Sequence, residues 1–136
     1  MTRTAIYYLT TADLRAIAGD VAGGFIVRDP GLLESASARP QATVFGADAY
    51  PSVWDKAAAL LHSIAKNHPL IDGNKRLAIA AGAIFLARNG VDIGGLDEDL
   101  AYDLMIAVAT GELDEVADIA EQLRKAIGAT PPGSPE

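Results

Sequence analysis

Nine consecutive residues, His68-Pro69-Leu70-Ile71-Asp72-Gly73-Asn74-Lys75-Arg76, hold nearly every side chain in this chain that could do polar chemistry together. They open its most apolar segment. An imidazole whose ordinary pKa lies near neutrality can serve as general base toward a hydroxyl. Asp72 offers a hard oxygen of the kind Mg²⁺ takes when phosphate and water complete its shell. Gly73 leaves the backbone bare for close approach, and Asn74, Lys75 and Arg76 fall in the first turn of the helix that follows. Unpaired N–H groups make that end of a helix partly positive, so each cation there costs about 0.3–1 kcal/mol unless an anion answers it. Backbone N–H groups and two cations at one helix end are an arrangement that holds polyphosphate.

Each residue also has a plainer reading. Asp72 could cap the helix, Lys75 and Arg76 could be solvated cations, and His68 alone could be a helix-end histidine. The combination favours chemistry. His62 precedes His68 by six residues and so lies about 120° away on a continuous helix, which rules out a metal pair and leaves a packing or surface role.

The positioning elements follow from periodicity and punctuation. Ile6 to Leu9 is an edge strand or an extended lead-in. Thr10 or Thr11 caps a helix with Leu14, Ile17, Ala18 and Val21 on one stripe, ended by Gly23-Gly24. Asp29-Pro30 caps a short helix over Gly31 to Ala38, and residues 39–50 are expected to form an ordered loop or broken helix. Pro51 starts a longer helix whose stripe is Trp54, Ala57, Ala58, Leu61, Ile64 and Ala65, with Asp55, Lys56 and Lys66 facing outward. Pro69 stops it at Asn67 or His68 and leaves the imidazole at its carboxyl end.

The next helix, Asn74 to Arg88, is apolar on every side through its middle and must be enclosed by others. Two amphipathic helices complete the set, one from the Asp97 cap to about Ala109 and one from about Leu113 to Ile127. The expected architecture is an all-α bundle around the central helix that begins at Asn74, one domain over residues 1–127. Residues 128–136, with three prolines and two glycines, read as a flexible tail.

Composition narrows the function. A chain of 136 residues, half of them apolar, suits a single core. The longest uncharged apolar run, Leu77 to Ala87, would span about 16 Å as a helix, short of the roughly 30 Å of a bilayer core, and no signal-peptide pattern opens the chain. A soluble, cytoplasmic protein is expected, and the lack of cysteine fits a reducing compartment. A net charge of −7 argues against direct nucleic-acid binding, and a helix-turn-helix would need a basic recognition helix that is not there. No Lys or Arg stands between Arg88 and Arg124, while ten acids do; this is a solvated acidic surface or a dock for a basic partner.

His68 to Arg76 resembles the motif of the Fic/Doc family, in its Doc (death-on-curing) form His-x-Phe-x-Asp-Ala/Gly-Asn-Lys-Arg. Lys75 stands where the Fic adenylyltransferases keep a glycine, Ile79 where many of them carry an arginine, and Leu70 replaces the usual phenylalanine. Arg28-Asp29-Pro30-Gly31-Leu32-Leu33-Glu34-Ser35, Arg39-Pro40-Gln41, Tyr50-Pro51 and Ala57 to Asn67 are also similar to the corresponding parts of Doc-type toxins, so the likeness reaches about residue 127.

The resemblance implies an all-α Fic/Doc-type fold and a toxin kinase that moves the γ-phosphate of ATP, with Mg²⁺, to a threonine of elongation factor Tu and stops translation. It makes His68 the base, Asp72 the Mg²⁺ ligand or a motif-loop residue, and Gly73, Asn74, Lys75 and Arg76 the phosphate holders. It also implies an antitoxin whose disordered segment folds onto the toxin, since the self-inhibitory Ser/Thr-x-x-x-Glu-Gly/Asn pattern of some Fic proteins is missing. Adenylyl transfer on the same fold, or a degenerate relative that binds nucleotide or partner without turnover, are the alternatives. The loop 39–50, with Arg39 near the site, is the expected surface for docking the protein target.

Overall fold

The computed structural model describes residues 5–128 and is all-α apart from one small hairpin. Helices α1 (Thr11–Val21), α2 (Pro30–Ala38), α3 (Val53–Asn67), α4 (Asn74–Arg88), α5 (Glu98–Thr110) and α6 (Val116–Ile127) follow in order. The hairpin strands β1 (Thr43–Val44) and β2 (Ala47–Asp48) lie between α2 and α3. Among the described residues no helix is long and apolar enough to cross a membrane. The tail expected over 128–136 lies outside the described residues, except for Gly128, which ends α6 in a left-handed conformation.

Helix α4 is the strut, packed against α3, α1 and α5, while α6 packs on α3 and α5. Leu77, Ala78, Ala81, Phe85 and Leu86 of α4 are fully buried against Leu60, Leu61 and Ile64 of α3 and the rest of one continuous core. Burial of each such large side chain favours the fold by about 1.5–3 kcal/mol. Enclosure of α4 is incomplete, since Ile79, Ala80 and Ile84 are only partly buried. Gly82 lets α3 come close, for a methyl there would already touch Leu61 Cδ1 at 3.5 Å.

The lead-in is extended and makes no strand. Asn89, at the end of α4, holds it instead, accepting from the Tyr7 N–H and donating to the Tyr7 carbonyl, both at 2.9 Å. At the start of α1, Thr10 Oγ1 accepts from the Asp13 N–H at 3.1 Å and Asp13 Oδ2 accepts from the Thr10 N–H at 2.9 Å. The Thr10 backbone N–H, with its hydroxyl and the Arg88 guanidinium adding to it, holds the Asp13 carboxyl below its ordinary range against the opposing effect of desolvation. A carboxyl whose pKa is lower folded than unfolded stabilises above its unfolded value, about 3.9, and that stabilisation is lost as the pH falls through the lowered one. Asp13→Asn should therefore melt below the parent at neutral pH, the gap closing on acidification through that window. A gap that does not change with pH would contradict this account of the cap.

Two departures from the sequence reading concern α3. Pro51 does not start the helix; Ser52 caps it, Oγ accepting from the Asp55 N–H at 3.0 Å, and Val53 is the first helical residue. Lys56, expected to face outward, is 1% exposed. Its ammonium donates to the Tyr50 carbonyl and, at 3.2 Å, to Asp48 Oδ2, so it ties the base of the hairpin to α3. The region expected as a loop or broken helix is one 3-10 turn at Arg39–Gln41 and this hairpin, whose turn residues Phe45 and Gly46 both have positive φ, 52° and 81°. Such a pair matches the twist of a two-residue hairpin connection, though phenylalanine is strained where asparagine or glycine is usual. Helix α6 begins three residues later than expected, because the Leu113 N–H is taken by the Ala107 carbonyl at 3.0 Å in the turn after Gly111.

Candidate active site

The site begins where α3 stops. Pro69 disfavours helical geometry at His68, which turns left-handed with φ 54° and ψ 66° while its N–H still reaches the Ile64 carbonyl. The imidazole leaves the helix axis and stands in the open.

The segment between α1 and α2 grips the turn that follows. The Arg28 and Asp29 N–H groups both donate to the Pro69 carbonyl, at 2.7 and 3.1 Å, and the Ile71 N–H donates to the Ile26 carbonyl at 2.9 Å. Leu70, fully buried, is clamped on both backbone groups by the Asn74 amide, its N–H donating to Asn74 Oδ1 and its carbonyl accepting from Asn74 Nδ2, each at 2.9 Å. The side chain of Asn74, expected to hold phosphate, thus shapes the loop through Oδ1 and one Nδ2–H, and its second Nδ2–H and its backbone N–H are left for an anion.

Asp72 does not cap α4. Its Oδ1 accepts from the Gly73 N–H at 2.8 Å, and the helix starts after Gly73 with no side-chain cap at all. Gly73 is required for two reasons: its φ is 89°, and a Cβ there would lie 2.6 Å from Ala22 Cβ at the end of α1. The absence of a side chain at Gly73 thus lets the loop pack closely on α1 while Gly73 also lines the cleft. Lys75 and Arg76 are exposed, and neither joins an ion pair among the described residues. Uncapped N–H groups and two uncompensated cations give this helix end a strongly positive face.

These residues line one cleft of about 600 Å³. The motif lines it with His68, Ile71, Asp72, Gly73, Asn74, Lys75 and Arg76; Ile79 of α4, Leu96, and Glu98, Ala101, Tyr102 and Met105 of α5 add a mostly apolar wall. The structure thus brings together all the residues of the nine-residue motif that were read as chemical. The apolar wall was not anticipated, because it depends on how α5 packs against α4.

For a metal, no cluster of three or more His, Cys, Asp or Glu side chains exists among the described residues. Asp72, with one oxygen on Gly73 and the other uncommitted in the hydrogen bonds of the site, fits a cation that needs one carboxylate and takes its other ligands from phosphate and water, as Mg²⁺ does.

Arg39 is elsewhere. It does not line the cleft, and its guanidinium is turned inward to the Ser63 hydroxyl at 3.0 Å, the Ala59 carbonyl at 3.2 Å, the Tyr50 hydroxyl at 3.1 Å and His62 Nδ1 at 2.6 Å. The arginine can only donate, so Nδ1 accepts and Nε2 carries the proton given to Asp114 Oδ1 at 2.8 Å. That bond, with the charges of Lys66 and Arg39 adding to it, keeps the Asp114 carboxyl below its ordinary range against the opposing effect of desolvation. Arg39 and His62 thus tie the 3-10 turn, α3 and the α5–α6 turn together, and Arg39, expected near the site, stands away from the cleft. Within the acidic stretch, Asp97 caps α5 and Asp92 closes a turn on the Gly94 N–H, so part of that charge serves local structure.

Residues 7–86 match the model of the Fic/DOC family. The chain is 55% identical over 109 residues to Toxin Doc of Mycolicibacterium smegmatis, covering 79% of this chain and 84% of that protein. It is 36% identical over 104 residues to a protein of Escherichia phage P1 named Protein kinase doc, covering 74% of this chain and 77% of that one. The matched segment contains α1 to α3, the whole of the motif loop and all but the last two residues of α4, so the clamped turn, the open histidine and the uncapped helix start lie within it, and the chain belongs to the Fic/Doc family.

Proposed function

We propose that this protein is a Doc-like toxin kinase that transfers the γ-phosphate of ATP to a threonine hydroxyl of a protein, elongation factor Tu, and so stops translation in the cytoplasm. The observation that carries this reading is the uncapped start of α4, where Lys75 and Arg76 stand without acidic partners beside an open histidine. The likeness to a phage protein named a kinase supports the choice of reaction.

In this reading the α4 N–H groups, Lys75 and Arg76 bind the phosphates of ATP, and the apolar wall of Ile79, Leu96 and Met105 shelters the nucleoside. His68 accepts the proton of the threonine hydroxyl as its oxygen bonds to the γ-phosphorus; the bond from that phosphorus to the β-phosphate oxygen breaks, and ADP leaves. Asp72 would hold Mg²⁺, which when bound offsets phosphate charge. Lys75 fills space that a glycine would leave for nucleotide phosphates, which favours presentation of the γ-phosphate over the α-phosphate; adenylyl transfer is the reading this disfavours. The hairpin β1–β2 is the proposed acceptor surface, since Val44 and Phe45 hold apolar side chains in water there. A disordered segment of a cognate antitoxin is the proposed partner that silences the site.

Purified protein added with ATP to a translating bacterial extract should halt synthesis, and undiminished synthesis would remove the proposal. Arg76→Gln supplies a second check, because function and fold pull in opposite directions at that position. It should weaken ATP binding and stabilise the protein by about 0.3–1 kcal/mol by relieving the conflict with the helix dipole. Unchanged nucleotide affinity, read by calorimetry, would take Arg76 out of the site.

A further inference from the structure

We propose that Arg28, some forty residues before the motif and outside the cleft lining, is the positioning residue that sets the catalytic histidine; this rests on the kinase reading of the site. Its guanidinium makes two bonds of 2.7 Å, Nε donating to the His68 carbonyl and Nη2 to the Asn67 carbonyl. Those are the last carbonyls of α3, the negative end of its dipole, and the planar fork of an arginine can span two of them where a lysine reaches one.

The geometry needs such a hold. His68 is one of two described non-glycine residues with positive φ, at a helix end where glycine would rest without strain. Pro69 disfavours helical geometry at His68 and pushes such a residue toward the extended region, yet His68 is left-handed. The bond to its carbonyl selects the left-handed one, and the ring direction follows from the backbone. Arg28 is itself fixed: its N–H donates to the Pro69 carbonyl, and the next residue, Asp29, caps α2 through Oδ1 at 2.9 Å from the Gly31 N–H. The start of α2 is thereby wired to the base. Arg28 does not line the cleft, so its path to the reaction runs through the His68 backbone that it holds.

The test compares Arg28→Ala and Arg28→Lys with the parent. A reacting group displaced by about 1 Å costs on the order of a hundredfold in rate, so kcat of Arg28→Ala should fall by about that factor with KM for ATP unchanged, because the phosphate holders on α4 are untouched. Arg28→Lys, keeping one of the two bonds, should fall about tenfold. The chain has only two histidines, so the ring resonances of His68 can be followed with His62 as internal control, without substrate. In both variants the His68 signals should move and those of His62 stay. If the alanine variant does not fold, the lysine variant decides by the same two readouts. Unmoved His68 signals, or His62 and His68 shifting together, would overturn the proposal. Should the parent transfer nothing to any protein, the kinase reading fails, and the resonances alone settle whether Arg28 positions His68.

Discussion

Replacing His68 by glycine is expected to reduce transfer by about 10²–10⁴-fold while leaving the protein within about 1 kcal/mol of its parent in stability. The loss follows from removal of the general base. The tolerance follows from the backbone: His68 sits at φ 54° with its side chain exposed, so glycine relieves strain and empties no core. His68→Ala would remove the same imidazole but keep the β-carbon in the left-handed region, which makes glycine the cleaner variant. Retained transfer in a folded His68→Gly protein would return the chain to the class of relatives that bind without turnover.

Gly73→Ala should destabilise by roughly 2–4 kcal/mol, the largest effect on stability expected of any single methyl here. Two independent costs meet at that position. Alanine is strained at φ 89°, and its methyl would lie 2.6 Å from Ala22 Cβ. The costs can be separated, because Ala22→Gly in the same molecule removes the overlap and leaves the strain. The double variant should recover part of the loss in thermal or denaturant unfolding, and not all of it. ATP affinity should fall with Gly73→Ala as well, since the loop that delivers the first N–H groups of α4 must move. A variant as stable as the parent would mean that α1 does not press on the motif loop.

These two positions also show where the sequence was informative. The motif is contiguous, so its chemistry could be read without knowing the fold, and the unbroken apolar run after Arg76 marked α4 as the strut because no other surface could cover it. Caps at Thr10, Asp29 and Asp97 were legible for the same reason, being local hydrogen bonds between near neighbours.

What failed was long-range. Arg28 lies beside His68 only because the α1–α2 connection bridges to Leu70 through Val27, and no spacing announces a contact forty residues apart. A lysine at position 56 is expected to face outward, yet a long stem ending on a carbonyl and a carboxylate can be buried. The place of Arg39 in the family-like segment points it toward the cleft, while the 3-10 turn it occupies aims it at His62 and Ser63. The hairpin escaped notice because strands of two residues, exposed on both faces, carry no alternation to read.

The most direct measurement is to incubate the protein with elongation factor Tu, Mg²⁺ and ATP labelled either at the α or at the γ phosphate, and to ask which label becomes protein-bound. We expect γ-label on a threonine of the acceptor with release of ADP, and none with His68→Gly. Label from the α position on the acceptor, with release of pyrophosphate, would contradict that expectation.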